Sequence, residues 1–272
     1  MMLMNVLAGV LTGVLVAATG VGLEPEGQGG AKGADVKPGA GPVAVVPAAG
    51  SLVRVGGDEE AKVKREGEGF FIGKSSITTP LPEGYPDPTP PGAIDVKTYP
   101  SVRRAEVKGE LAPDMATNLA FFPLFSHIQR RNIEMTSPVE VDYVGMVGDG
   151  KGDAAKGDAG RAEGDKKPGS WTMSFLYRRA DQGPTGPDER NEAVKVVDTQ
   201  PVTMLAIGIR GGYSVARIGQ GLKELELWLA DHPEWEIVGE ARAMYYNGPD
   251  VANAEKWAEA QVPVRLRKDG GK

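Results

Sequence analysis

Asn118-Leu-Ala-Phe-Phe-Pro-Leu-Phe-Ser-His-Ile-Gln-Arg-Arg-Asn-Ile-Glu-Met-Thr-Ser-Pro-Val139 is the stretch on which the reading of the fold turns. Phe121, Leu124, Phe125 and Ile128 fall at i, i+3, i+4 and i+7, one apolar stripe along a helix. The spacing predicts a helix around residues 121–131. Pro123 is tolerated only near a first turn, so regular helix is not expected to begin much earlier. Beyond it, Val139, Val141 and Tyr143 alternate with Glu140 and Asp142, the period of a half-buried strand. Pro138 removes a ladder donor from the segment that Met135 and Thr136 open, which predicts an edge or a bulge.

The same two signals recur on both sides. Upstream, Ile94, Val96 and Thr98 alternate with Asp95 and Lys97; after Pro100, Ala105 and Val107 alternate with Arg104 and Glu106. Downstream, Trp171, Met173, Phe175 and Tyr177 alternate with Thr172 and Ser174, and residues 202–209 form an apolar strand. Ile218, Leu222, Leu225 and Leu229 mark a second helix that ends at His232-Pro233. Residues 235–246 read as one long strand, and Val262, Val264 and Leu266 as the last. Strand, helix, strand, strand thus appears twice. Two βαββ units of this kind can pair into one mostly antiparallel α+β sheet or barrel with both helices against it. Such a layout leaves a concave surface between sheet and helices, suited to a flat apolar ligand.

The rest of the chain lacks this texture. Residues 23–91 are rich in Gly, Pro, Ala and Glu and end in Pro86, Pro88, Pro90 and Pro91. That composition buries too little apolar surface to offset the entropy of ordering, and it reads as a disordered linker. The short apolar pieces 43–46 and 70–72 support no element of their own. Residues 148–169 read as a disordered insertion between two strands, since added loop length costs little free energy. Its aspartates miss the spacing of a calcium loop. With a disordered tail at 268–272, the folded domain spans 92–267. Within residues 1–22, the run from Leu3 to Gly22 is apolar or small except for Asn5, Thr12 and Thr19, and Ala18 and Gly20 offer a cleavage pattern. A secretory signal peptide fits, although no Lys or Arg precedes the run; a retained membrane anchor fits its length. Both readings put the domain outside the cytoplasm, periplasmic or extracellular.

The chain's 272 residues carry a formal net charge of −6 and no cysteine. Without cysteine there is no disulfide, thiolate haem ligand, iron–sulfur cluster or thiol nucleophile. The acidic balance argues against nucleic acid as a partner. Enzyme signatures fail as well. Gly73-Lys74-Ser75 imitates the end of a phosphate loop, but Glu68 stands where the earlier glycine is needed. Gly219-x-Gly221 has Glu224 in the third glycine's place, and neither G-x-S-x-G nor H-E-x-x-H occurs. A non-enzyme is expected.

With these elements in place, the run 118–139 resembles a segment of the SOUL family of haem-binding proteins. There, an F-x-x-L-F-x-Y-I helix leads to an asparagine and then to M-T-x-P-V. Phe121, Leu124, Phe125, Ile128, Asn132, Met135, Thr136, Pro138 and Val139 match, and His127 stands where the family commonly has tyrosine. Residues 94–100 resemble the family's opening Y-E-V-R-x-Y strand, and 171–177 its W-x-x-x-F-x strand. Tyr246-Asn-Gly-Pro249, followed by Trp257, resembles its Y-D-P-P and closing strand. The resemblance covers roughly residues 92–267. It implies a distorted antiparallel β-barrel with two packed helices, kin to the effector-binding domain of some transcription regulators. It also implies binding of haem or another tetrapyrrole.

On that implication the ligand lies between the first helix and the sheet, against Phe121, Leu124, Phe125 and Ile128. Met135 and Tyr177 add to the wall, and Arg131, beside Arg130, meets haem propionates by charge-assisted bonds. His127 is the candidate axial ligand of the iron. At 100° per residue it lies roughly 110° from the centre of the apolar stripe, at the flank or outside. An exposed histidine near a helix C-terminus is therefore the competing reading, as a solvated helix end is for the arginines. His232 ends the second helix. Tyr213, Tyr245 and Tyr246 suit either a pocket or packing on the sheet. The expected function is an exported, non-enzymatic binding protein for haem or another flat apolar molecule. A structural or protein-interaction module that keeps the barrel without haem is the alternative.

Overall fold

Period-two alternation becomes strands, and the two apolar stripes become helices, in a computed structural model that describes residues 44–110, 113–147 and 169–268. The expected leader at 1–22, linker residues 23–43, insertion residues 148–168 and tail residues 269–272 lie outside these. In chain order the elements are β1 (Ser51–Gly57), β2 (Lys64–Glu66), β3 (Gly69–Ile72), β4 (Ser75–Ile77), β5 (Ala93–Tyr99), β6 (Arg103–Gly109) and α1 (Pro113–Arg130). Then follow β7 (Val139–Tyr143), β8 (Trp171–Leu176), β9 (Gly186–Pro187), β10 (Lys195–Asp198) and β11 (Val202–Arg210). The chain closes with α2 (Val215–Asp231), β12 (Trp235–Ile237), β13 (Arg242–Tyr245) and β14 (Trp257–Leu266).

Pairing gives an antiparallel sheet of 11 strands in the order β1-β5-β11-β14-β13-β7-β8-β6-β10-β9, with β12 also on β14. The two βαββ units are visible in this path. In one, β6 pairs with β8 and β8 with β7. In the other, β11 pairs with β14 and β14 with β13. The β13–β7 pair joins them into one mixed α+β layer with a helix from each. No closed barrel forms among the described residues. Closure would pair β5 with its chain neighbour β6, but β5 already holds β1 and β11 on its two edges, and β6 holds β8 and β10.

Both helices face one core. Leu124 and Ile128 of α1 and Ile218, Leu222 and Leu225 of α2 join Val96, Val107, Val141, Phe175, Leu205 and Val262 of the sheet in a single buried cluster. Burial on this scale stabilises each large aliphatic side chain by about 1.5–3 kcal/mol. It also fills the space: the expected ligand hollow between helix and sheet is a packed layer. Ser214 caps α2, its hydroxyl accepting the Arg217 N–H at 3.2 Å. α1 ends where Asn132 turns to φ +52° and the Ile133 N–H reaches the Ile128 carbonyl at 2.9 Å, a Schellman stop that asparagine tolerates.

Other expectations are corrected. The helix begins at Pro113, and Pro123 lies well inside it. A proline suits the first helical position, and packing of Ala120, Leu124 and Ile128 outweighs the one bond that Pro123 forfeits. Pro138 precedes β7 rather than interrupting it, and β7 is central, between β13 and β8. The long strand expected at 235–246 is split. Pro263 of β14 accepts the Val238 N–H at 2.9 Å but has no N–H to return, and the ladder breaks there. The largest correction concerns the linker. Its residues 51–57 form β1 on the sheet, and 64–77 form the separate sheet β2-β3-β4. Composition understated this segment because its few apolar residues bury against the rest of the domain rather than against one another: Phe70 and Ile77 pack with Tyr99, Met204, Met244, Tyr246 and Trp257.

Candidate functional site

His127 sits in the last turn of α1 and is 1% exposed. Helical geometry places it at the flank of the stripe, and the flank is buried because β10 pairs with β6 and carries the 186–194 turn over the helix end. From that turn Asp188 meets His127 Nδ1 at 2.5 Å, while Nε2 lies 2.7 Å from the Tyr177 hydroxyl. Burial, only partly offset by Asp188, lowers the His127 pKa, so the neutral ring donates Nδ1–H to the carboxylate and accepts the Tyr177 O–H. Burial pushes Tyr177 up to about 12, which keeps it a donor. Asp188 also accepts Arg130 Nη2 at 2.5 and 2.6 Å and the N–H groups of Arg190 and Asn191 at 2.9 and 3.0 Å. Burial alone would raise its pKa; the backbone N–H of Arg190, His127 and Arg130 hold it well below the carboxylate range.

Both nitrogens of His127 are thus committed, and neither presents a lone pair to iron. The axial-ligand expectation is corrected on this geometry, as is the exposed-histidine reading. His232 is stacked on Trp228 with ring centres 3.7 Å apart, and its Nδ1 lies 2.7 Å from the Trp228 carbonyl oxygen. The other expected site residues separate into two sets. Leu124, Ile128 and Tyr177 are core. Phe121 and Phe125 are half-buried and stacked, centroids 5.7 Å apart, and Phe121 meets Phe122 and Phe175 edge-on. Phe122 is 68% exposed and Met135 37%. Arg131 lies 3.7 Å from Asp188, so its charge is drawn to the turn rather than to a pocket. The tyrosines are taken up in packing and hydrogen bonds: Tyr213 lies 4.5 Å from Tyr245, ring centre to ring centre, and donates to the Trp257 carbonyl, Tyr245 meets Tyr143, and Tyr246 donates to Glu259.

Sequence reasoning missed the second face of the sheet. The polar residues of the alternating strands, expected to meet solvent, are buried there in one hydrogen-bonded chain. Glu259 accepts Lys97 Nζ at 2.9 and 3.0 Å, the Thr89 N–H at 2.7 Å, the Tyr246 hydroxyl at 2.7 Å and Gln261 Nε2 at 2.5 Å. Burial alone would depress the Lys97 ammonium; Glu259, together with Tyr99 and Asp95, outweighs it and the net shift is upward. Arg242 donates to Gln261 at 2.8 Å and to Glu140 at 2.9 Å, with its guanidinium 4.6 Å from the Tyr99 ring centre. Arg104 then pairs with Glu140, Glu106 and Asp142. With its oxygens filled by these donors, Glu259 holds structure.

What covers this face is the segment 63–91, here called the strap. Tyr85 stands edge-on to Tyr99 at 4.9 Å, and Trp257 Nε1 donates to the Thr89 carbonyl at 2.8 Å. The strap backbone lies so close to β11 that a Cβ on Gly208 would fall 2.0 Å from the Pro90 oxygen. No signal in one sequence marks these pairs, because opposite charges on distant strands are seen to meet only once the register is known.

The profile described as SOUL heme-binding protein matches residues 88–259. No curated protein sequence matches the chain. Among solved structures, the crystal structure of the EcmrR C-terminal domain is 14% identical, with a TM-score of 0.47 over 64% of this chain and 98% of that one. A hydrolase encoded by lin2189 from Listeria innocua is 15% identical, with a TM-score of 0.42 over 63% and 91%. SAV2435 bound to tetraphenylphosphonium is 9% identical, with a TM-score of 0.36 over 62% and 92%.

Proposed function

The chain belongs to the SOUL heme-binding protein family, and from that premise we propose that it is a non-enzymatic binding protein for haem or a similar flat, apolar tetrapyrrole. The observation that supports this most is the ring surface of α1, where stacked Phe121 and Phe125 carry the 68% exposed Phe122 at their front. A macrocycle laid on these rings gains apolar burial and stacking without entering the packed layer behind them. Since His127 is committed to Asp188 and Tyr177, binding proceeds without that histidine on the iron. An exported location, read from residues 3–22, belongs to the same proposal.

Haemin and iron-free protoporphyrin IX titrated into the protein test it together. Both are expected to bind saturably, with a Soret shift for haemin, and His127→Gln is expected to leave the haem spectrum unchanged. Absence of any saturable shift at micromolar haemin would overturn the reading. The alternative, an interaction module without haem, draws support from the filled layer between helices and sheet. It gains if neither porphyrin binds while the protein is folded.

A further inference from the structure

The strap belongs to a longer excursion, residues 58–91, whose two ends meet. β1 ends at Gly57 and β5 begins at Ala93, and these two residues are partners across the sheet. Beside them the Asp58 N–H donates to the Gly92 carbonyl at 2.8 Å. Gly57 has φ +68° and Gly92 φ +85°, a region that glycine enters readily and other residues avoid. A Cβ on Gly57 would fall 2.2 Å from the Gly92 oxygen, so the close approach itself needs glycine. Two such residues side by side make a hinge. The excursion also has a sheet of its own: β2, β3 and β4 pair with one another and, among the described residues, with no strand of the main sheet.

Beneath the excursion the fit is incomplete. A crevice of about 330 Å³ lies between Val63, Pro88 and Pro90 on the strap and Leu52 and Arg54 of β1. Another, of about 210 Å³, lies between Phe70, Leu81 and Tyr85 on the strap and Arg178 beyond β8. The strap's buried apolar anchors, Phe70 and Ile77, sit with Met204, Tyr246 and Trp257 in a cluster separate from the helix-side core. Four buried polar atoms of the strap and the face it covers have no hydrogen-bond partner. They are Ser75 Oγ, Thr89 Oγ1, Asp95 Oδ2 and Arg242 Nη2. Each weighs against the closed state, because opening returns it to water.

We propose that residues 58–91 are a lid that opens about the Gly57–Gly92 hinge while the main sheet and both helices stay folded. Opening admits water and small solutes to Tyr99, Tyr246, Trp257 and the charged network among them, a floor that the closed lid seals. The ring surface of α1 is on the helix side and does not depend on this motion. Most of the lid precedes residue 88, where the family match begins, so it stands largely outside the matched domain.

Because the chain has no cysteine, a thiol placed on either face reports that face alone. Met204 and Leu205 are neighbours on β11 whose side chains point to opposite faces, Met204 under the lid and Leu205 under the helices. Met204→Cys and Leu205→Cys, each in the full chain, are labelled with N-ethylmaleimide in native buffer and followed by mass. The thiol of Met204→Cys is expected to react at least about tenfold faster than its variant's global unfolding rate, and that of Leu205→Cys at the global rate. Adding Gly208→Ala should speed the first by a further several-fold relative to global unfolding and leave the second at its global rate. Labelling of both thiols at the global rate would overturn the proposal, as would a Met204→Cys rate indifferent to Gly208→Ala. If a cysteine variant does not fold, hydrogen exchange of the unaltered protein decides. The Glu83 and Thr89 amides, bonded to the Arg178 carbonyl and to Glu259, should then exchange together and at least about tenfold faster than the Leu205 amide. Exchange of all three at one rate would overturn the lid.

Discussion

The Lys97–Glu259 pair gives a sharp test of how the second sheet face is held. Both side chains are 0% exposed, and Glu259 serves four donor groups, Lys97 of β5, Tyr246 just after β13, Gln261 of β14 and Thr89 of the strap. Glu259→Gln leaves the Lys97 ammonium buried without an anion and turns an amide N–H toward donors. Breaking a buried pair in this way costs about 3–5 kcal/mol. Lys97→Met leaves the carboxylate three donors, so its expected cost is smaller, about 1–3 kcal/mol. The double variant strands no charge. Its destabilisation is expected to fall near that of Lys97→Met alone, a coupling of about 2 kcal/mol or more. Equilibrium unfolding in urea reads all three. Tryptophan fluorescence is a suitable signal, because Trp257 bonds the Thr89 carbonyl next to Glu259. Costs that simply add to within about 0.5 kcal/mol would refute the reasoning. A Glu259→Gln protein within about 1 kcal/mol of the unaltered one would do so too.

Three further outcomes are expected. The His127 pKa is lowered in the fold, so its stabilisation is complete above the unfolded value of about 6.5 and declines as pH falls below it, because the unfolded chain then binds the extra proton. Denaturation midpoints measured from pH 7 to 5, above the range where Asp188 protonates, should drop in the unaltered protein and drop less in His127→Gln. Gly208→Ala should lift the strap, since the new Cβ would fall 2.0 Å from the Pro90 oxygen; faster limited proteolysis within residues 63–91 is the readout, and an unchanged rate contradicts the contact. Phe122→Ser should leave the unfolding midpoint nearly unchanged, the side chain being largely exposed, yet weaken haemin by roughly tenfold to a hundredfold.

Much of the architecture was legible from local pattern. The stripe Phe121–Leu124–Phe125–Ile128 named a helix whose Leu124 and Ile128 are core, and Ile218, Leu222 and Leu225 did the same for the second. Alternation located β5, β6, β7, β8 and part of β14, a continuous apolar run located β11, and their order around the helices led to the doubled unit that the pairing displays. The site was less legible. Phe121 and Phe125 do lie together on the surface of α1, whereas the hollow imagined behind them is occupied by their own neighbours on the sheet.

Periodicity settled which residues share a face, because that follows from 3.6 residues per helical turn and two per strand repeat. It could not settle what covers a face. His127 is buried by a turn some sixty residues later, and Asp95, Lys97, Glu140 and Glu259 by strand register and a strap that composition suggested would stay loose. Those placements depend on contacts between distant parts of the chain, whose free energy appears only when the whole sheet has formed.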